Sequence, residues 1–304
     1  MPGEHMQVKA VRRPPARTRL PKPRKKSRLL RLRVARLWPS ARLRRRATRA
    51  ATRAATRAFS RAPRFVQILL SLCVILGLWF ALNGVYQVIR KPSELLFPVS
   101  GTLNKTPAAT WREYGPLFKR YATQNISPEL LAALAQVEAS GNPLVRTYWR
   151  WSWRPAPFEV YRPASSAVGM YQITDGTFQE ARRYCIRAHT VIEDGPWNDW
   201  KSCWFNRLYS RVIPAHAVEL TSAYLDRSVA RVLEHQRARP ATPEQRHALA
   251  ALIHLCGAGA GELYVRRGLR LAQGQRCGDH DAQDYIKRVA SAERVFAALR
   301  AGSP

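Results

Sequence analysis

The stretch LLAALAQVEASGNP, residues 130 to 143, sets a single acid, Glu138, among apolar, small or neutral side chains. Its flanks predict a helix. Ser127 can cap the start, Pro128 suits the first turn, Glu129 complements the positive helix end, and Gly141 can terminate it. Leu130, Leu134 and Glu138 are four residues apart, so the carboxylate continues the leucine face and points toward the core or a cleft. A carboxyl group in partly desolvated surroundings is biased toward its neutral form, and a carboxylic acid that keeps its proton near neutral pH can act as a general acid. The competing reading is a structural glutamate at a helix end, bonded to a neighbour.

Farther along, SSAVGMYQITDGTF (residues 165 to 178) follows VEASGNP, and the pair resembles the soluble lytic transglycosylase family. In that family a helix ends in a catalytic Glu within a Glu-Ser-x-x-Asn-Pro pattern, and a Gly-Leu-Met-Gln-like stretch and a further helix follow. Glu138, Asn142 and Pro143 match the first motif, with Ala139 at the Ser position. Gly169 and Gln172 match the second, with Met170 and Tyr171 at its apolar positions. CGAGAG (residues 256 to 261) is the counterpart of a Tyr-Asn-Ala-Gly-Pro-Gly motif, with Cys256 for Tyr and Gly257 for Asn. The family's Ser would fall on Pro163, so Ser165 or Ser166 serves only after a local shift. The resemblance covers roughly residues 111 to 300.

It implies a mainly α, lysozyme-like fold of the α+β lysozyme superfamily, with Glu138 as the catalytic acid and no cofactor or metal. It also implies a substrate-binding set of Ser165, Ser166, Gly169, Met170, Tyr171, Gln172, Gly257, Ala258 and Gly259. The implied reaction is non-hydrolytic cleavage of peptidoglycan glycan strands between N-acetylmuramic acid and N-acetylglucosamine. Glu138 protonates the leaving oxygen and then accepts the C6 hydroxyl proton as a 1,6-anhydro ring closes. A hydrolytic muramidase normally needs two carboxylates flanking the bond, for which Glu159 or Glu262 would have to fold into the cleft. A non-catalytic peptidoglycan anchor, holding a cell-envelope protein assembly, is the reading that the altered third motif motivates.

An insertion, residues 144 to 162, interleaves Tyr148, Trp149, Trp151, Trp153, Phe158 and Tyr161 with Arg146, Arg150 and Arg154. Trp149 and Trp151 would suit a glycan bearing carboxylates and peptide stems. Packing onto the domain or against a membrane interface fits the same composition equally well. Asp175 reads as a helix cap and His254 as a satisfied core histidine. Glycines 257, 259 and 261 read as a close-packed turn, since no Lys-Ser or Lys-Thr follows to make a phosphate loop.

Upstream, Thr110 and Glu113 have capping-box spacing for a helix through WREYGPLFKRYA, with Pro116 as a bend. Residues 90 to 109 read as a linker, broken by Pro92, Pro98 and Pro107. Before it, residues 65 to 89 hold 25 residues without a charge, between Arg64 and Arg90. That length crosses a hydrocarbon core of roughly 30 Å. A core helix of this length would show a polar face, and a signal peptide would have a shorter apolar region nearer the start.

The chain of 304 residues carries a net charge of +31, and residues 1 to 64 hold 22 Lys or Arg against the single acid Glu4. Basic residues beside a span stay cytoplasmic, so residues 91 to 304 are expected in the periplasm of a bacterium, the inner membrane carrying the span. A mitochondrial presequence is the alternative for such an Arg-rich start. In ATRAATRAATRA (residues 47 to 58) Arg recurs every four residues, and a helix would present that stripe to anionic lipids. A disordered tail that only fixes topology is the competing reading. Nucleic acid is not expected, because aromatic residues for base stacking are few. The divisions are therefore 1 to 64 basic tail, 65 to 89 span, 90 to 109 linker and 110 to 304 periplasmic domain.

Cys73 lies in the span, leaving Cys185, Cys203, Cys256 and Cys277 on the side expected to be oxidising. Of three pairings, the sequence-local one, Cys185 with Cys203 and Cys256 with Cys277, closes loops of about 20 residues. Zinc fits poorly, since no two of them have the close spacing of structural zinc sites.

Overall fold

The computed structural model describes residues 41–96, 100–153, 156–199, 201–235 and 240–302. The first forty residues of the basic tail, Pro98 of the linker and Arg154 of the insertion lie outside the described residues. The chain divides into two units, Met1–Leu76 and Gly77–Pro304.

In the first unit α1, Ala41–Arg61, is a polar helix without an acid in its first turn. Its Thr52, Thr56 and Ser60 hydroxyls donate back to carbonyls of the preceding turn, which satisfies them without leaving the helix. Pro63 separates it from α2, Arg64–Arg90, which is long and apolar enough to cross a membrane.

The second unit is mainly helical. It contains α3 (Pro107–Arg120), α4 (Pro128–Ala139), α5 (Asp175–Ala181), α6 (Pro214–His235), α7 (Pro243–Cys256), α8 (Ala258–Arg266) and α9 (Ala282–Ala301). Three antiparallel two-stranded hairpins interrupt them: β1 (Trp149–Trp151) with β2 (Tyr161–Pro163), β3 (Tyr184–Arg187) with β4 (Thr190–Glu193), and β5 (Arg276–Cys277) with β6 (His280–Asp281). Helix α4 is central because its sequence is apolar all round: Leu130 to Ala135 are without exposed surface. Helix α9 lies against it most extensively, α3 covers another side, and Trp111 meets Phe296 at 5.9 Å between these two covering helices.

Caps decide the boundaries. Ser127 accepts from the Leu130 amide and Pro128 opens α4. Helix α3 starts earlier than its apparent capping box, because Thr106 accepts from the Ala109 amide and Pro107 takes the first turn. Thr110 is instead buried inside the helix and donates to Gln136 Oε1 at 2.8 Å. Pro116 does not interrupt α3. It and Arg112, whose carbonyl loses its helical partner, both lie on the exposed side, where water replaces the bond.

The segment after α2 is partly packed rather than free: a short 3₁₀ turn, Pro92–Leu96, buries Glu94. Its carboxylate receives Arg146 Nη1 and Trp149 Nε1, each at 2.9 Å. Disulfides join Cys185 to Cys203 and Cys256 to Cys277.

Candidate active site

Glu138 stands on the last turn of α4, and its neighbours fix that turn. Ser140 and Gly141 both adopt left-handed backbone, φ 49° and 65°, and the Gly141 amide closes back on the Ala135 carbonyl at 3.0 Å. A Cβ at Gly141 would lie 2.2 Å from Thr110 Oγ1, so α3 and α4 meet where only glycine fits. Asn142, wholly buried, donates to the Ser100 carbonyl and to Asn104 Oδ1 and accepts from the Leu144 amide. Its part in the first motif is to hold the chain leaving the acid.

Two other helices bring side chains to the carboxylate, which is itself 18% exposed. Tyr285, from the first turn of α9, donates its hydroxyl to Glu138 Oε1 at 2.5 Å. Burial, reinforced by the Glu138 charge, pushes the Tyr285 phenol well above its ordinary value, so it remains a donor at any physiological pH. His254, near the end of α7, sets Nε2 3.7 Å from the same oxygen. Burial lowers its pKa, against the opposing pull of Glu138 and a bond to the Tyr171 backbone. The imidazole is therefore neutral at neutral pH, and the approach is a polar contact rather than an ion pair. His254 is largely buried as expected, but it faces the acid rather than the core alone.

The loop between the insertion and α5 meets His254 through the Tyr171 backbone. Gly169 has φ 82°, and a Cβ there would meet the Arg211 carbonyl at 2.1 Å. Gln172, also left-handed, donates to the carbonyls of Val145 and Gly169 at 3.2 and 2.9 Å. Met170 and Tyr171 have no exposed surface, and the Tyr171 hydroxyl bonds the Leu131 carbonyl. Their assignment as substrate contacts is thereby corrected: apolar positions of this motif tie the loop to α4 from inside. Arg211 secures the far end through the Ser166 and Ile173 carbonyls and the Asp175 carboxylate, at 2.8 to 2.9 Å. Thr174, not Asp175, caps α5, which frees Asp175 for that pair.

Ser165 and Ser166 are used locally. The Ser165 hydroxyl accepts from the Ala167 amide and the Ser166 hydroxyl from the Asp175 amide. They line a cleft of about 200 Å³ with Gln87, Arg90, Lys91 and Arg162.

At the third motif Cys256 is bonded to Cys277 and has no S–H to offer the acid. Gly257, at φ 81°, joins α7 to α8 with open space around its missing Cβ, as also at Gly259. Gly261 alone of the three is close-packed, 2.7 Å from Ile253 Cγ1 were it to carry a Cβ. Ala258 opens α8 beside them. Chain continuity thus places residues 257 to 259 at the end of α7 that carries His254.

The aromatic insertion turns toward α2. Trp149 bonds Glu94, and Trp151 lies 6.1 Å from Phe80 and 4.8 Å from Tyr161. Asn83 donates to the Tyr161 carbonyl. Trp149 and Trp151 thus belong to a hairpin held against the apolar helix, whose side chains bond the Pro157, Phe158 and Tyr161 carbonyls. Glu159, a candidate second acid, is held there by Arg90 at 3.2 Å, while Glu262 sits half-buried on α8.

Tyr285 is the site residue that the motifs did not reveal. Its one sequence signal is its place on the buried face of α9, with Val289 and Phe296.

The unit is helix-rich, with one acid at the end of its central helix. Residues 116–251 match the family model of the transglycosylase SLT domain, a match that supports a transglycosylase-type function on peptidoglycan. The match ends three residues before His254, and the glycine turn and Tyr285 lie beyond it. No curated protein matches the chain.

Proposed function

We propose that the protein is a membrane-anchored lytic transglycosylase in which Glu138 is the sole catalytic acid and base. The observation that carries this reading is the Tyr285 hydroxyl on Glu138 Oε1 beside a neutral His254. Among the described residues this leaves the second carboxylate oxygen, Oε2, for a glycosidic oxygen and sets no Lys or Arg against the carboxyl to neutralise it. Protonated Glu138 gives its proton to the oxygen leaving C1 of N-acetylmuramic acid. The C6 hydroxyl then attacks C1, returns its proton to the Glu138 carboxylate, and the 1,6-anhydro ring closes without water. One carboxyl group is restored to its starting state, so no second acid is needed, in contrast to paired-carboxylate hydrolysis. The α2 helix would hold the domain at the inner membrane with the glycan outside.

Incubating the full chain with peptidoglycan sacculi tests this. Soluble fragments with anhydro ends are expected. Fragments with reducing ends would mean that water is the acceptor, and binding without release would mean an anchor. Glu138→Gln keeps size and hydrogen bonding but cannot transfer the proton, so release should fall by about 10² to 10⁴-fold. Release at the unchanged rate from a folded variant would remove Glu138 from the mechanism.

A further inference from the structure

Of the three amides on α2, the two in its C-terminal part are enclosed: Asn83 is 1% exposed and Gln87 5%. Asn83 Nδ2 donates to the Tyr161 carbonyl at 2.8 Å and Gln87 Nε2 to the Phe158 carbonyl at 2.6 Å. Trp79 Nε1 donates to the Pro157 carbonyl at 3.0 Å. The three donors are four residues apart, on one helix face, and all three acceptors belong to the turn and second strand of the β1–β2 hairpin.

The depth of that contact follows from length. Phe65 to Leu78, the uncharged part of α2 before the first donor to the hairpin, is fourteen residues, about 21 Å of helix. A hydrocarbon core of roughly 30 Å needs about six residues more, which reach Gly84. Those six include Trp79, Phe80 and Asn83, the residues that hold the hairpin.

We propose that the described parts of the hairpin, residues 149 to 153 and 156 to 163, are embedded in the outer leaflet of the bilayer as a collar on α2, their partner being lipid. The inference rests on reading α2 as a membrane span. Lipid offers no hydrogen bonds, so a hairpin turn at membrane depth needs its carbonyls satisfied from protein, and Trp79, Asn83 and Gln87 supply this. Trp153 is fully exposed, Trp151 59% and Tyr148 66%, an aromatic display suited to the membrane interface. Strand alternation turns Arg150 and its cross-strand partner Arg162 to the face opposite Trp151 and Tyr161, from which their stems reach phosphate headgroups.

The test uses the full chain in nanodiscs of phosphatidylethanolamine and phosphatidylglycerol. Cys73 is the free thiol among the described residues and is exposed on α2, so a nitroxide attached to it reports on the span. A second protein, Cys73→Ala with Trp153→Cys, carries the nitroxide on the hairpin, at a site where the removed ring packs against nothing. Collisions with oxygen and with a water-soluble nickel chelate are compared by spin relaxation. At both sites oxygen should dominate, with chelate collisions lost. Oxygen dominating at Cys73 but the chelate at position 153 would overturn the collar and leave the span standing. The chelate dominating at both would remove the span and the collar together.

Discussion

The hydroxyl on Glu138 comes from Tyr285, 147 residues away, while position 256, where the motif comparison places a tyrosine, is spent on a disulfide. A hydrogen bond to a charged group contributes about 1.5–3 kcal/mol. Tyr285→Phe should therefore slow muropeptide release by roughly ten- to a hundredfold in a protein that still folds, as steady-state release and thermal melting together would show. An unchanged rate would make the contact structural only. His254 adds a pH dependence. Its folded pKa is lowered from the ordinary 6.5, so the unfolded chain takes up a proton that the fold refuses as pH drops through that value. The stability from this site is complete above about pH 6.5 and drains as the pH falls toward the folded pKa. His216 is lowered by burial too and acts with the same sign, so the comparison that isolates His254 is the wild type against His254→Asn. Melting temperatures between pH 7 and 5 should fall less steeply in the variant, and equal slopes would contradict a buried neutral imidazole. At this scale the face on which Glu138 stands was legible, because spacing along one helix fixes it. Tyr285 was not, because its contact is made by α9 closing on α4, which no local pattern encodes.

Helix starts show the same division. Ser127 and Pro128 were legible because cap and first-turn proline are adjacent and unopposed. Thr110 with Glu113, and Asp175, have the right local chemistry one to four residues from the true caps, Thr106 and Thr174. Tertiary packing decides between such neighbours: Thr110 is needed against Gly141 and Gln136, and Asp175 against Arg211. The Trp149 and Trp151 strand likewise had a glycan, the domain or the membrane interface as destinations by composition, and the bonds from the α2 amides to its hairpin partner come from helix packing that composition does not encode. The disulfides then act as elements with different duties. Cys256–Cys277 ties the end of α7, two residues after His254, to the hairpin leading into α9 and Tyr285, whereas Cys185–Cys203 spans β3 and a distant turn. Their loops are similar, with separations of 21 and 18 residues, so removing either with paired Cys→Ser changes should cost about 3 kcal/mol. Below both melting temperatures, only loss of Cys256–Cys277 should also slow release, because it alone joins the two partners of Glu138. Equal slowing in both double variants would show that the effect is general loosening.

Charge is a property of the whole molecule, and it bears on which way the protein faces. Residues 1 to 64 hold +21 of the total +31, directly before α2. The rest, although also positive, is a domain long enough to cross whatever its own charge, because the rule counts basic residues close to the span and not in large translocated domains. Helix α1 keeps Arg49, Arg53, Arg57 and Arg61 in register along one side without an acid among them, which adds attraction to anionic lipid on the retained side. The domain's own chemistry points the same way: two disulfides close within it, and these persist in an oxidising compartment. The substrate that the SLT match supports, peptidoglycan, lies outside the inner membrane. Charge, thiols and substrate are independent, and together they predict an N-terminus in the cytoplasm and a C-terminus in the periplasm. Alkaline phosphatase fused after Pro304, which needs disulfides to fold, should be active in cells, and a fluorescent protein that folds only in the cytoplasm should be dark at the same position. The reverse result would place Glu138 on the side without glycan, and the Arg-rich segment would then need another explanation than retention.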